Sequence, residues 1–230
     1  MNSILKRACL LSLLTLLCMA STALAADDNL ITELIPIHLT APGTLSTRIG
    51  SNKKNLITNL SVSGAMNIHD VQFLREMAGC LDDNGQPTGG HLQHLDLSAA
   101  SLVAGEDEIR VNLYEEDHWY KYTQVSINDG KRIRTSLFRD LFSLQSIILP
   151  EGITEVGWMS FRYCPALTSV TFPSTLTNID DEAFCRCTAL TEVSLPSQAQ
   201  TIGLKGILEM HQPALGDRAA RAEGHRRVCL

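Results

Sequence analysis

The chain has 230 residues, a formal net charge of −6 and only 5% aromatic residues. That acidic balance excludes a phosphate-neutralising nucleic-acid binder, which needs clustered Lys and Arg. Seven cysteines in this length are far too few for a disulfide scaffold.

Residues 1–25 read as a secretory signal. Lys6 and Arg7 form a positive start, Ala8 to Ala20 an apolar run, and Ala23-Leu24-Ala25 a small-x-small cleavage site. The run is shorter than the ~20 residues of a membrane span. Cleavage puts Ala26 first and changes the charge to −8 (−6 − 2). Cys18 raises a lipoprotein alternative, but Leu17 stands where a small residue is needed. Five cysteines remain: Cys80, Cys164, Cys185, Cys187 and Cys229. The odd number leaves an unpaired thiol or an intermolecular bridge.

Residues 26–55 are a lead-in with no assigned element. Residues 56–105 read as an irregular strand–helix–strand pair. Its strand patterns are Ile57-x-x-Leu60-x-Val62 and Leu92-x-x-Leu95-x-Leu97. Between them Asp70 to Met77 is an amphipathic helix capped by Asn67. The stretch from Asp82 to Gly90 is a polar turn, and its spacing fails the calcium-loop pattern.

Residues 106–132 form an insertion in which Tyr114, Trp119, Tyr120 and Tyr122 cluster. A hairpin-type turn is expected at Asp129-Gly130. The cluster has two readings: an exposed loop whose aromatics anchor a partner, or a hairpin folded down with its aromatics half buried.

Residues 133–203 repeat with a period of 23. Seven columns hold over three units: Phe138/Phe161/Phe184, Leu141/Cys164/Cys187, Leu144/Leu167/Leu190, Ile147/Val170/Val193, Leu149/Phe172/Leu195, Pro150/Pro173/Pro196 and Val156/Ile179/Ile202. The period lies in the range of leucine-rich repeats. Each unit, such as Leu167-x-x-Val170-x-Phe172, supplies a short strand that proline ends. Stacking the units in parallel buries one continuous core. The fold expected is therefore an α/β-type repeat, a leucine-rich repeat solenoid with short parallel strands and irregular N-terminal repeats over 56–203. The cysteine column is expected to stay reduced and packed, with Cys185 pointing elsewhere and reacting first. In residues 204–230, Ile207 and Met210 continue two columns. The Arg-, Ala- and Gly-rich stretch after them reads as a divergent or truncated end.

No catalytic constellation emerges. The seven histidines are scattered, and His91 and His94, three apart on a strand, point to opposite faces. Cys185-x-Cys187 lacks redox or zinc spacing, so neither cofactor nor metal is expected. The candidate binding surface consists of the outward strand positions His94, Asp96, Ser169, Thr171, Glu192 and Ser194, with Tyr114, Trp119, Tyr120 and Tyr122 of the insertion.

The run from Leu167 to Phe184, with Asn59 to Gly64 and His94 to Ser98 upstream, resembles the BspA-type leucine-rich repeat surface proteins. The resemblance implies an exported protein, secreted or at the cell surface and outer-membrane-associated in some cases. It also implies protein partners of host or bacterial origin. A degenerate fragment of a longer surface protein is the second reading, a secreted hydrolase the third.

N-terminal sequencing of the exported product should begin at Ala26; an acylated Cys18 would refute this.

Overall fold

In the computed structural model the described residues are 29–113 and 121–203, without the side chains of 113, 121 and 122. The chain forms two compact units that meet in sequence after Ile31. The first unit lies almost wholly outside the described residues, and the second, Thr32–Leu230, carries the fold.

The lead-in, left unassigned by sequence, contains two elements. Strand β1 (Ile31–Leu39) has Leu34 60% exposed. Pro36 is tolerated because β1 is an edge strand, where a missing N–H breaks no ladder. A short helix α1 (Leu45–Ile49) buries Leu45 and Ile49. Strand β2 (Ile57–Met66) and helix α2 (Ile68–Met77) come next. As expected, Asn67 caps α2, and it does so in a reciprocal capping box with Asp70. The buried Asp70 carboxylate also accepts from Gly43 N (2.6 Å) and Leu45 N (2.9 Å). One side chain thus pins the lead-in loop to the start of the helix.

The main sheet runs β1-β2-β3-β8-β10, where β3 is His94–Asp96, β8 Ser146–Ile148 and β10 Ser169–Thr171. Strand β4 (Ala100–Leu102) pairs with the far half of β2. The pairings β2–β3, β3–β8 and β8–β10 are all parallel. Ser169 pairs with Ser146 at the 23-residue step (169 − 146). His94 pairs with Ser146 across 52 residues (146 − 94). The surplus of 29 (52 − 23) is nearly the length of the 106–132 insertion, so the extra chain is accommodated without disturbing the rung.

A second parallel sheet, which sequence reading did not anticipate, runs along another side of each coil. It comprises β7 (Arg132–Ile133), β9 (Glu155–Val156), β11 (Asn178–Ile179) and β12 (Thr201–Ile202). Each pair is again 23 apart, as Ile133↔Val156↔Ile179↔Ile202 shows. The turn expected at Asp129-Gly130 is corrected by this sheet. The bend there delivers the chain into β7, which pairs parallel with β9 rather than back onto the preceding strand. The antiparallel hairpin lies earlier, between β5 (Ile109–Leu113) and β6 (Lys121–Val125).

Between the two sheets each coil turns around a phenylalanine. Phe138, Phe161 and Phe184 are fully buried and stacked, with centroids 5.3 and 5.1 Å apart and ring planes within 15° and 7°. Residues two before and two after each ring sit at positive φ although none is glycine: Ser136 and Asp140, Met159 and Tyr163, Glu182 and Arg186. Such backbone costs about 1–2 kcal/mol per residue. In the first two coils it persists because the corner donates to the next coil, as in Ser136 N to Trp158 O (3.2 Å), Phe138 N to Ser160 O (2.8 Å) and Asp140 N to Arg162 O (2.9 Å). Threonine hydroxyls add bonds at the 23-residue step, Thr168 to Gln145 O and Thr177 to Thr154 O.

Cys164 and Cys187 are free, fully buried thiols that donate to Phe138 O (3.2 Å) and Phe161 O (3.0 Å). Burial raises the Cys187 pKa well above that of an ordinary thiol, with Cys164 adding to the shift. The expectation that Cys185 is the accessible thiol is corrected: it is only 4% exposed. It follows Phe184 directly in the covered inner turn, so its two-residue offset from Cys187 does not carry it to solvent.

Phe161→Ala should remove the middle ring of the stack and cost about 3–5 kcal/mol. Urea unfolding measures it, and an unchanged midpoint would take the column out of the core.

Candidate functional site

The outward positions of the main sheet fall into two rows. Asn59, His94, Ser146 and Ser169 are in register, as are Ser61, Asp96, Ile148 and Thr171. Between the rows Leu60, Leu95, Ile147 and Val170 point inward and are buried, which is the period-2 alternation of a strand. The structure thus brings four predicted residues, His94, Asp96, Ser169 and Thr171, onto one face. Glu192 and Ser194 are exposed but lie in a segment that forms no strand, so the described sheet ends at β10.

The chemistry of this face is mild. His94 Nδ1 lies 2.8 Å from Ser146 Oγ, and the Asp96 carboxylate accepts from Ser98 N (2.8 Å). Asp96 therefore supports the turn after its strand rather than orienting His94. A serine–histidine contact alone does not assemble a nucleophile, because the base needs a third group to orient it. His91 is engaged elsewhere, with Nδ1 2.9 Å from Asn55 O. Among the described residues no group of three or more His, Cys, Asp or Glu side chains is placed to hold a metal.

The hairpin stands on a buried footing. Ile109, Val111 and Val125 are 7%, 0% and 4% exposed, while Arg110 and Gln124 face outward. Asn112 Nδ2 donates to Asp82 O and ties β5 to the polar turn. Tyr114, Trp119 and Tyr120 lie outside the described residues. Tyr122 is placed by its backbone, opposite Asn112. At the base of the hairpin, Pro42, the start of α2, Ala104, Gly105 and Asp107 line a cleft of about 190 Å³. That is below the ~300 Å³ at which small-molecule sites begin.

Sequence reading missed a buried charged cluster at the seam between α2 and the first regular coil. Arg75 Nη1 donates to Leu137 O (2.8 Å) and Arg139 O (3.1 Å). Arg139 pairs with Asp140 at 3.2 Å, and both are essentially unexposed. Nearby, the Arg139, Arg162 and Arg186 guanidinium groups lie 5.2–5.4 Å from the Tyr163 ring. Burial pushes the Asp140 carboxyl up to about 6, with Arg139 and Arg75 opposing the shift. Native Asp140 therefore holds its proton up to about pH 6, whereas the unfolded chain releases it near 3.8. Across that window the native state binds more protons, so this group makes stability rise as pH falls. Asp140→Asn should flatten the slope of unfolding free energy against pH between about 4 and 6; an unchanged slope would refute the assignment.

A family model described as BspA type leucine rich repeat region matches residues 108–208 in six copies. No curated protein gives a significant match. Among solved structures, the chain is similar to a leucine-rich repeat protein of T. pallidum, at 28% identity and a TM-score of 0.32. That likeness covers 35% of this chain and 37% of the other, so it spans little more than a third of that protein. The matched family residues take in the hairpin and every coil of the 23-residue ladder, while the strand–helix–strand part before them lies outside the match. Over residues 108–208 the chain is therefore similar to the BspA-type leucine-rich repeat region.

Proposed function

We propose that this protein is a non-catalytic interaction module that acts outside the cytoplasm, secreted or at the cell surface. It binds protein partners, of host or bacterial origin, through the aromatic hairpin together with the outer sheet face. The observation that carries this reading is the hairpin itself. It is a long departure from the repeat among the described residues, the inner face of its strands is buried, and the sequence joining those strands contains Tyr114, Trp119 and Tyr120. Aromatics on a rigid stem are the anchors that dominate protein interfaces.

The sheet face serves as the second contact. With strands ~4.8 Å apart and ~3.3 Å per residue, the face over β2 to β10 measures roughly 14 by 10 Å. That is about 140 Å², well under the ~800 Å² each partner gives to a stable interface. His94, Asp96, Ser169 and Thr171 therefore add contact area beside an anchor and do not suffice alone. Among the described residues no helix is long and apolar enough to cross a membrane.

The test compares the purified chain with two variants for cross-linking to intact host-cell and bacterial surfaces. Replacing Trp119, Tyr120 and Tyr122 by Ser should weaken capture by roughly thirtyfold, about 2 kcal/mol. Replacing His94 and Asp96 by Ala should have a smaller effect. Far-UV circular dichroism should be unchanged in both. Equal capture by all three proteins would refute the hairpin as anchor. No capture by any would favour a degenerate fragment.

A further inference from the structure

The chain has two turns in which glycine directly follows a side chain able to close on the backbone: Asn84-Gly85 and Asp129-Gly130. Glycine carries no Cβ, so its amide is the least hindered nucleophile toward the preceding side-chain carbonyl. The structure treats the two turns differently.

Asp129 is restrained. Its Oδ1 accepts from Lys131 N (3.0 Å), and its Oδ2 lies 3.4 Å from Arg132 Nε. Gly130 is pressed against Leu102 O, where even a single added carbon would sit 2.1 Å from that oxygen. The backbone there is held close against Leu102, so the rotation that would bring Gly130 N onto the Asp129 side chain is opposed. Asn84, by contrast, is exposed. Its backbone N–H donates to Asp82 Oδ1 (2.8 Å), but among the described residues its side-chain amide makes no hydrogen bond or ion pair.

We propose that Asn84 is a site of spontaneous deamidation, the residue through which this protein acquires a time-dependent charge. Solvent base removes the Gly85 amide proton, and the nitrogen attacks Asn84 Cγ. A C–N bond forms, the side-chain nitrogen leaves as ammonia, and a five-membered succinimide remains. Water then adds to one of its two carbonyls, and the ring opens to aspartate or to the β-linked isomer. The step needs no oxidant, metal or enzyme. Gly85 N donates to Asp82 O (2.9 Å), so attack follows a local opening of this turn. Such openings are the lowest-cost motions of exposed loops.

Both products set a new carboxylate beside Asp82 and Asp83. The β-linked product also lengthens the backbone inside the turn that Asp82 N closes on Gln86 O (2.8 Å). Because Asp82 O also receives Asn112 Nδ2, the turn that changes is bonded directly to β5.

The experiment holds the folded protein at mildly alkaline pH for weeks, beside a urea-unfolded sample. Both are mapped by peptide mass and by enzymatic methylation of β-aspartyl groups. In the folded protein residue 84 should convert several-fold faster than any other asparagine, giving both isomers, while Asp129 stays intact. In urea, where its restraints are lost, Asp129 should begin to isomerise as well. Asn84→Gln should abolish the early acidic species without changing circular dichroism. Native Asn84 that survives while unfolded Asn84 converts would overturn the proposal, as would Asp129 reacting first in the folded protein.

Discussion

Everything in the regular part of this molecule depends on the corner built around each stacked phenylalanine. Two non-glycine residues per coil are held at positive φ, one on each side of the ring. Alone, each would relax, since the left-handed region costs about 1–2 kcal/mol. In the first two coils they hold because the N–H groups of alternate corner residues are aimed at carbonyls of the next coil. The geometry is thus enforced by neighbours and not by local preference, as expected of solenoid stability. Once the corner is fixed, both sheets must advance by 23 residues, and the cysteine column must lie beneath the rings. A thiol there packs as a small hydrophobe and donates its hydrogen bond to a carbonyl of the preceding coil.

The same constraint explains where charge can be buried. The corner of the first coil has no regular coil before it, so the carbonyls of Ser136, Leu137 and Arg139 face the strand–helix part. Arg75 of α2 reaches all three. A guanidinium suits this position because one group can serve several diverging acceptors. Arg139 and Asp140 pair behind it, and the raised Asp140 pKa records the desolvation that this seam imposes. The irregular N-terminal part is accordingly joined to the repeats by polar contacts that a regular repeat would have made with its own backbone.

The fold was legible wherever a column recurred. The strands at Ile147 and Val170 and the phenylalanine stack were readable because each residue type returned three times at one spacing. The second sheet left a signal too, in Val156, Ile179 and Ile202, but its strands are two residues long. A period of two cannot be seen in two residues. Strand β1 escaped notice because Pro36 interrupts it, an interruption that only an edge position permits. The Arg75 clamp was not legible, since its partners lie 61 to 64 residues away and nothing local marks the helix position as buried. For the candidate site, sequence placed His94, Asp96, Ser169 and Thr171 on one face, as register later required. It carried the row too far at Glu192 and Ser194, because a column of apolar residues continues there while the strand does not.

These constraints also bear on where recognition can reside. A repeat prescribes its inward positions through packing and its corners through hydrogen bonds. What remains free in each three-residue strand is two outward side chains, and here they are mostly small and polar. A chain built only of such coils presents a smooth hydroxyl-rich face with little to desolvate. Chemical individuality has to enter where the period is broken, and the largest break lies between β3 and β8. The extra residues there form a hairpin whose inner face is apolar and buried, so it is held as firmly as a coil. Its outer residues answer to no column. That freedom lets an aromatic-poor sequence gather Tyr114, Trp119, Tyr120 and Tyr122 within one short stretch while the 23-residue register on either side is kept.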